Sequence, residues 1–232
     1  GALTGPDGDL EPRGADTASE FDRQADKLVA GILGTGAEVL ALQEIENNGS
    51  GAGSAIGTLV DLINAEDANA NFAFVDPTGS GGFIGEDAIT TGIVYDTDAV
   101  TLLYSDYIVF EESSAATTVA LASAIATAIG HNFNAYDQLN RPSVAATFVD
   151  HLSGETFTVV SSHFKSKGDS GLVALAEAAE AYLAGGGTAI TQADLDALYA
   201  DPNFDQGNGQ GFWNAARTDA AMELSEWITT EY

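Results

Sequence analysis

Cysteine is absent from this chain of 232 residues. A disulfide, a thiolate nucleophile and a cysteine-ligated zinc site are therefore all excluded. Lysine and arginine together number 7 against 35 aspartate and glutamate residues, which gives a formal net charge of −28 at pH 7. A chain so poor in basic residues has no broad basic surface for binding nucleic acid or an anionic membrane.

Long apolar runs are missing as well. No stretch of about eighteen apolar residues occurs, which excludes a transmembrane helix. Apolar residues nevertheless make up 45% of the chain and aromatic residues 9%, enough to build a core and to exclude intrinsic disorder. The length suits one large domain or two small ones, and no repeat or linker forces a boundary. We expect a single, partial domain over residues 1–232, with a helical insertion at about 169–204.

The excess of acidic residues bears on where the protein works. A net charge of −28 means that the carboxylates of the chain repel one another strongly at low ionic strength. Salt weakens this repulsion because it shortens the Debye length to about 8 Å or less. This favours a salty external habitat, marine or halophilic, for a secreted protein that is extracellular or at the cell surface. The absence of cysteine fits a cytosolic chain equally well. The alternative is that the charge serves general solubility.

The first part of the chain alternates helical and strand patterns. Thr17 and Glu20 have the spacing of a capping box, and apolar residues then recur at helical spacing as far as Gly34 and Gly36. The apolar run over 38–43 predicts a buried strand, and a second amphipathic helix follows a loop rich in glycine. Helix, strand and helix in this order indicate a layered α/β domain.

Strand patterns dominate the middle of the chain. The runs NFAFVD, AITTGIVYD, VTLLY and DYIVF are separated by turn residues, and SVAATFV and ETFTVVSSHF flank the turn DHLSG as a hairpin. Helices are predicted over 113–129, 172–183, 191–200 and 214–229. We therefore predict an α/β (α+β) fold, a layered sandwich of mostly antiparallel sheets flanked by helices.

The scarce basic residues cluster. Arg141, Lys165 and Lys167 lie within residues 140–168, which contain only two carboxylates. Arg141 precedes one strand of the predicted hairpin and the two lysines follow the other, so all three belong at the same end of the sheet. Each alone is explained by charge balance, but together with His163 on the same strand end they predict an anion-binding site.

His163 and Glu44 each end a predicted strand. An imidazole titrates near neutral pH and suits a general acid or base beside a bound phosphate, although a lone histidine at a strand end is more often a hydrogen-bonded core residue. A carboxylate where a buried strand emerges must be paired or bound to a metal. Without thiols and with only 3 histidines, a hard divalent cation such as Mg²⁺, Ca²⁺ or Mn²⁺ fits better than structural zinc. Glu46 shares that role or faces solvent.

Six blocks of the sequence, in order, resemble the endonuclease/exonuclease/phosphatase (deoxyribonuclease-like) superfamily, and within it the secreted bacterial nuclease branch. They read RGADTASEFDRQADKLVAGI, VLALQEIENN, DAITTGIVYD, NRPSVAATF, GETFTVVSSHFKSKG and GNGQGFWNAARTDAAMELSEWI. The resemblance implies a deoxyribonuclease-like fold and a metal-dependent phosphodiesterase that hydrolyses nucleic acid. Alternatives are a phosphomonoesterase or phospholipase of the same superfamily, and a non-catalytic acidic cell-surface or matrix module.

The resemblance also implies roles for single residues. Glu44 corresponds to the metal-binding glutamate, Arg141 to the arginine that contacts the scissile phosphate, and His163 to the histidine that helps to protonate the leaving oxygen. Asp87 lies where some relatives have the carboxylate partner of that histidine.

Further residues are implied around the phosphate. Asn140 stands beside Arg141 in the NRP block, and Lys165 and Lys167 are implied phosphate contacts. Arg217, with its neighbours in the GFWNAAR block, is implied to order a loop beside the site, and we place it with the substrate-binding residues.

The chain departs from the pattern of the family in its second half. Members of the family continue with a strand that ends in Asp-x-Asn and with a terminal Asp-His pair, and neither follows the last of the six blocks up to Tyr232. We expect this chain to be a fragment of a longer polypeptide, whose remainder, or another chain, completes the sheet sandwich.

Overall fold

A computed structural model describes residues 14–134 and 139–232. The described elements, in chain order, are α1 (Ala18–Thr35), β1 (Val39–Glu46), α2 (Ala55–Glu66), β2 (Phe72–Phe74), β3 (Ile89–Asp96), β4 (Val100–Ile108), α3 (Ser113–Ile129), β5 (Arg141–Asp150), β6 (Thr156–His163), α4 (Leu172–Ala184), α5 (Gln192–Ala200) and α6 (Asn214–Glu231). No helix within these ranges is long and apolar enough to cross a membrane.

The described residues form two compact units. The first contains the chain up to Val109, together with Arg141–His163 and Tyr232, and the second contains Phe110–Asn140 and Phe164–Glu231. All six described strands belong to the first unit, and helices α3 to α6 belong to the second.

The strands of the first unit form two antiparallel sheets. One has the order β1-β3-β2 and the other the order β4-β5-β6. Apolar side chains of both sheets share one core, in which Ile93 of β3 packs with Val144 and Phe148 of β5. The sheets therefore stack face to face, as the alternating apolar residues of their strands require. The predicted fold class, antiparallel sheets flanked by helices, is confirmed.

Helices α1 and α2 cover the first sheet. Ile32 of α1 and Ile63 of α2 are buried with the side chains of Leu40 and Leu42 on β1. Half of the predicted capping box of α1 is present: the Thr17 side chain accepts a hydrogen bond from the backbone nitrogen of Glu20. The Glu20 carboxylate accepts from the backbone nitrogen of Asp16 instead of that of Thr17.

The second unit is helical. Its core joins apolar side chains of α3 to α6, among them Leu172, Leu198 and the fully buried Trp213. The predicted helix over 113–129 is confirmed, and Thr191 starts α5 with a complete capping box. Helices α4 and α5, predicted as an insertion, pack here with α3 and α6. The prediction of one partial domain with an insertion stays a prediction.

Two sequence-based expectations about the strands are wrong. The run over 38–43 predicts a buried strand, but none of the residues of β1 is buried, because β1 is an edge strand of its sheet. The second expectation concerns β4. Residues 100–110 were expected to form two short strands separated by a turn at Ser105 and Asp106, but β4 is a single strand through this point. Ser105 and Asp106 pair with residues of β5, and the irregularity is a register shift between Leu102 and Tyr104. The ladder to β5 satisfies the backbone groups here, so a bulge replaces the turn that Ser and Asp favour.

Candidate functional site

Four ionisable side chains of the first unit come together where three of its strands begin or end: Glu44, Asp87, Arg141 and His163. Arg141 is the first residue of β5 and His163 is the last residue of β6, and the two are paired across the antiparallel ladder. Glu44 lies near the end of β1, and Asp87 lies in the loop before β3. The hairpin geometry therefore places the cation beside the imidazole, as the sequence predicted.

Side-chain hydrogen bonds tie the two sheets together at this end. Ser161 Oγ of β6 donates to the carbonyl oxygen of Leu42 in β1 at 2.8 Å. Thr91 Oγ1 of β3 donates to the carbonyl oxygen of Pro142 in β5 at 2.9 Å. Because both bonds are inter-sheet contacts next to the four residues, the strand ends that carry them are held in register.

Glu44 sits on a bulge. The register of β1 against β3 shifts between Leu42 and Ile45, and Glu44 has a φ of 59°, a conformation uncommon for a residue other than glycine. Its carboxylate is 71% exposed, and its Oε1 atom lies 3.8 Å from Nε2 of His163. The bulge thus turns the side chain of Glu44 towards the imidazole of His163. The local sequence contains no signal that predicts this bulge.

Arg141 is paired with Asp87. Its Nη2 atom lies 2.7 Å from Oδ2 of Asp87, and the two side chains are only 19% and 27% exposed. The Nε atom of Arg141 is buried, and no hydrogen-bond partner for it lies within residues 14–134 and 139–232. The resemblance suggested Asp87 as the partner of the histidine, but the structure places its carboxylate on Arg141, and Glu44 is the carboxylate within 4 Å of His163.

The surroundings of His163 lower the pKa of its imidazole. Burial lowers the pKa of its imidazole and the charge of Arg141 lowers it further, whereas Glu44 and Asp87 act in the opposite direction. Its Nδ1 atom is buried and has no hydrogen-bond partner in the part of the chain that the structure describes, and its side chain is 25% exposed. A partly exposed imidazole that is neutral near pH 7 can accept a proton.

Asn47, which the sequence analysis did not single out, lies three residues after Glu44 and is 2% exposed. Its Nδ2 atom donates to the carbonyl oxygens of Ile84, Gly85 and Asp87. The position of an asparagine directly after a strand is a sequence signal for a residue that binds backbone groups. The sequence does not show which loop Asn47 contacts.

The other predicted site residues belong to the second unit. Asn140 is fully buried; its Nδ2 atom donates to Glu112 and to the carbonyl oxygen of Ala216, and its Oδ1 atom accepts from the backbone nitrogen of Lys165. With its amide engaged in this way, the geometry favours a positioning role over direct contact with substrate. Lys167 is exposed, and its Nζ atom donates to the carbonyl oxygen of Gly209.

Arg217 is engaged with backbone carbonyl groups. Its guanidinium donates to the carbonyl oxygens of Lys165, Ser166, Phe212 and Gln210 at 2.7–3.3 Å. Burial lowers the pKa of this guanidinium. These contacts join the segment after β6 to the segment before α6; the role of Arg217 at the site stays a prediction.

The donors present do not fit a metal ion held by this chain alone. The described ranges contain no group of three or more His, Asp or Glu side chains that could hold one. Of the two carboxylates at the site, that of Asp87 is bound to Arg141, which leaves Glu44. We therefore derive no chemical step through a metal.

Comparisons with solved structures return proteins of low similarity. An endonuclease/exonuclease/phosphatase from Bacteroides vulgatus is 14% identical with a TM-score of 0.38, over 80% of this chain and 56% of that one. The human nocturnin catalytic domain is 12% identical with a TM-score of 0.38, over 72% and 52%. A mannosyl-6-phosphatase from Bacteroides thetaiotaomicron is 12% identical with a TM-score of 0.37, over 75% and 56%.

The chain spans about half the length of these structures. The first of them bears the name of the superfamily that the sequence blocks resemble. At these sequence identities and TM-scores the similarity concerns the fold and does not identify functional residues or a reaction. No protein-family model and no curated protein matches the sequence.

Proposed function

We propose that this chain binds a phosphoester at Arg141 and that it belongs to an enzyme that hydrolyses phosphodiester bonds of nucleic acid. One observation carries the proposal: a largely buried guanidinium and an imidazole lie side by side on paired strand residues, each with a carboxylate nearby. Phosphoryl transfer needs a fixed positive charge for the phosphoryl oxygens and a group that moves a proton, and this pair supplies both.

Arg141 binds the non-bridging oxygens of the phosphate in this proposal. Its guanidinium has five N–H donors in a planar fork. It can therefore donate to Asp87 from one edge and to a phosphate from another. The low exposure of the pair keeps the guanidinium oriented before the substrate arrives. Loss of one such charge-stabilising contact typically costs about 10²–10³ in rate.

His163 moves the proton. A water molecule attacks phosphorus in line, and its proton passes to neutral Nε2 of His163 as the new P–O bond forms. The bond to the leaving oxygen breaks on the opposite side of phosphorus, where solvent protonates that oxygen. The Glu44 carboxylate, 3.8 Å from Nε2, stabilises the imidazolium until it returns its proton to solvent. This assignment agrees with the lowered pKa of the free imidazole.

Dependence on a divalent cation is part of the proposal and comes from the resemblance. Magnesium in phosphoryl-transfer sites is often held by one or two carboxylates together with substrate phosphate and water. Glu44 would be the carboxylate that this chain contributes to Mg²⁺, Ca²⁺ or Mn²⁺. None of the roles given to Arg141 and His163 depends on that ion.

Nucleic acid as substrate and secretion as location are proposed on the resemblance and on composition. A net charge of −28 repels a polyanion at low ionic strength, so binding of DNA or RNA requires that salt or a divalent cation screen this repulsion. Small phosphoesters avoid the penalty and are the alternative within the enzyme class. The remainder of the polypeptide, or another chain, is proposed to complete the sheets.

A non-catalytic acidic surface or matrix module is the second candidate. It is favoured by the ion pair that already neutralises Arg141 and by the single remaining carboxylate at the site. Such a module would keep its fold and turn over no phosphoester.

A nicking assay on supercoiled plasmid tests the proposal, together with hydrolysis of bis-p-nitrophenyl phosphate and p-nitrophenyl phosphate. Reactions contain Mg²⁺, Ca²⁺ or Mn²⁺, with EDTA controls, over a range of NaCl concentrations. His163→Ala removes the proton carrier, and His151→Ala is the matched control because His151 lies in the β5–β6 turn, bound to Thr101 and to Asp98. Loss of cleavage in the first variant alone supports the proposal; a fully active His163→Ala overturns it, and a folded wild type inactive on every substrate favours the second candidate.

A further inference from the structure

We infer that Asn47 is a positioning residue, which holds the loop that carries Asp87 and thereby orients the guanidinium of Arg141 towards an anion. The inference rests on the proposed function, in which Arg141 is the phosphate-binding cation. It adds to the site a residue that touches neither substrate nor the reacting atoms.

The contacts of Asn47 converge on one loop. Its Nδ2 atom donates to the carbonyl oxygens of Ile84 at 3.1 Å, Gly85 at 3.3 Å and Asp87 at 2.9 Å. Its backbone nitrogen donates to the carbonyl oxygen of Ala88 at 2.8 Å. One buried side chain and its own backbone thus satisfy four carbonyl groups between residues 84 and 88.

The loop depends on this amide for its shape. The loop contains Gly85, which has a φ of 68°, and three of its carbonyl groups accept from the Asn47 side chain. Buried carbonyl groups that lose their donor must rearrange until water or another donor reaches them. Without the Asn47 amide, we therefore expect residues 84–88 to move.

Movement of the loop reaches Arg141 through Asp87. The backbone of Asp87 is bound to Asn47, and its carboxylate lies 2.7 Å from Nη2 of Arg141. Within the described ranges, Asp87 is the only residue that forms an ion pair with Arg141. Among the described residues the buried Nε–H of Arg141 has no acceptor, so the ion pair with Asp87 is the contact there that orients this guanidinium.

Asn47→Ala tests the inference, and Asn64→Ala is its matched control. Asn64 makes the same kind of contacts in the same unit, with Nδ2 donating to the carbonyl oxygen of Phe72 and Oδ1 accepting from its nitrogen. Two quantities are measured: the exchange rate of the Arg141 Nε–H by NMR, and the affinity for inorganic phosphate. We expect Asn47→Ala to accelerate exchange and to weaken phosphate binding by about tenfold each, about 1.4 kcal/mol, and Asn64→Ala to change neither.

A double-mutant cycle separates a positioning role from a general loss of stability. In an Asp87→Asn background the ion pair is already gone, so Asn47→Ala is expected to have no further effect on phosphate affinity. An undiminished effect in that background overturns the inference. Asp87 is partly exposed, so Asp87→Asn is expected to fold even if Asn47→Ala does not, and unchanged exchange of the Arg141 Nε–H in Asp87→Asn also overturns the inference.

The two proposals fail in different ways. A wild-type protein that neither binds phosphate nor cleaves a phosphoester contradicts the proposed function. The exchange rate of the Arg141 Nε–H needs no substrate and still decides whether Asn47 orients this side chain.

Discussion

Oε1 of Glu44 lies 3.8 Å from Nε2 of His163, although the two residues are far apart in the chain and belong to different sheets. Glu44 reaches this position because a bulge in β1 gives it a φ of 59°. The contact makes the protonation of the histidine sensitive to the glutamate, which leads to the first prediction.

Replacing Glu44 with glutamine should lower the pKa of His163 further. Burial and Arg141 already hold that pKa below its ordinary value, and Glu44 is one of two carboxylates that oppose them. Removing the charge of Glu44 removes one of the two carboxylates that raise the pKa of His163. Arg141→Gln should raise this pKa, because the charge of Arg141 lowers it. Proton NMR of the His163 ring as a function of pH measures both shifts, and a rise in Glu44→Gln would contradict the geometry.

Replacing Arg141 with lysine should reduce turnover of a phosphoester by about 10²-fold or more while the protein stays folded. Lysine keeps the charge but loses the planar fork that can hold Asp87 and a phosphate together. Steady-state kinetics measure the loss, with Arg23→Lys as the control, because the Arg23 side chain is 63% exposed on α1. Equal turnover in Arg141→Lys and wild type would remove Arg141 from the phosphate site.

Replacing Arg217 with methionine or with lysine should destabilise the second unit to a similar extent. We expect the affinity for phosphate to be the same in the two variants, although only lysine keeps the positive charge. The guanidinium spans the carbonyl oxygens of Lys165 and Phe212, and neither methionine nor lysine can make these contacts together. We expect both variants to lower the melting temperature to a similar extent. A phosphate affinity lost in methionine but kept in lysine would instead favour the direct substrate contact predicted from the sequence.

Replacing Asp76 with asparagine should remove a stability that is present at neutral pH and absent in acid. Burial alone would raise the pKa of Asp76, but hydrogen bonds from Ser50, Thr78 and Gly81 outweigh it, so the pKa is lowered. A carboxyl with a lowered pKa stabilises the fold above the pKa of the unfolded chain, about 3.9. That contribution is lost as the pH falls through the folded pKa.

Urea unfolding at pH 7 and at pH 3 measures this effect. We expect Asp76→Asn to cost about 1–3 kcal/mol at pH 7, since hydrogen bonds to a charged group are lost, and clearly less at pH 3. Asp98→Asn provides a comparison, because Asp98 is exposed in the turn between β3 and β4. A cost for Asp76→Asn that does not change with pH would contradict the assigned cause.

The local sequence was enough to predict the elements and one half of the site. The capping residues Thr17 and Thr191 and the turn between β5 and β6 act over a few residues, so their effects could be predicted without knowledge of the fold. Because β5 and β6 form one hairpin, the proximity of Arg141 and His163 followed from the same local pattern. The turn expected within β4 failed, since pairing with β5 outweighed the local preference of Ser105 and Asp106.

Only the tertiary structure decided which carboxylate meets which cation. Glu44 and Asp87 come from the first sheet and its loop, and Arg141 and His163 come from the second. Their pairing depends on how the two sheets stack, on the bulge at Glu44 and on the loop held by Asn47. These are long-range contacts, whereas composition and periodicity report on neighbours along the chain. The amino-acid sequence alone therefore determined the acidic character, the strands and helices and the basic strand end, and packing determined the ion pairs that make this end a site.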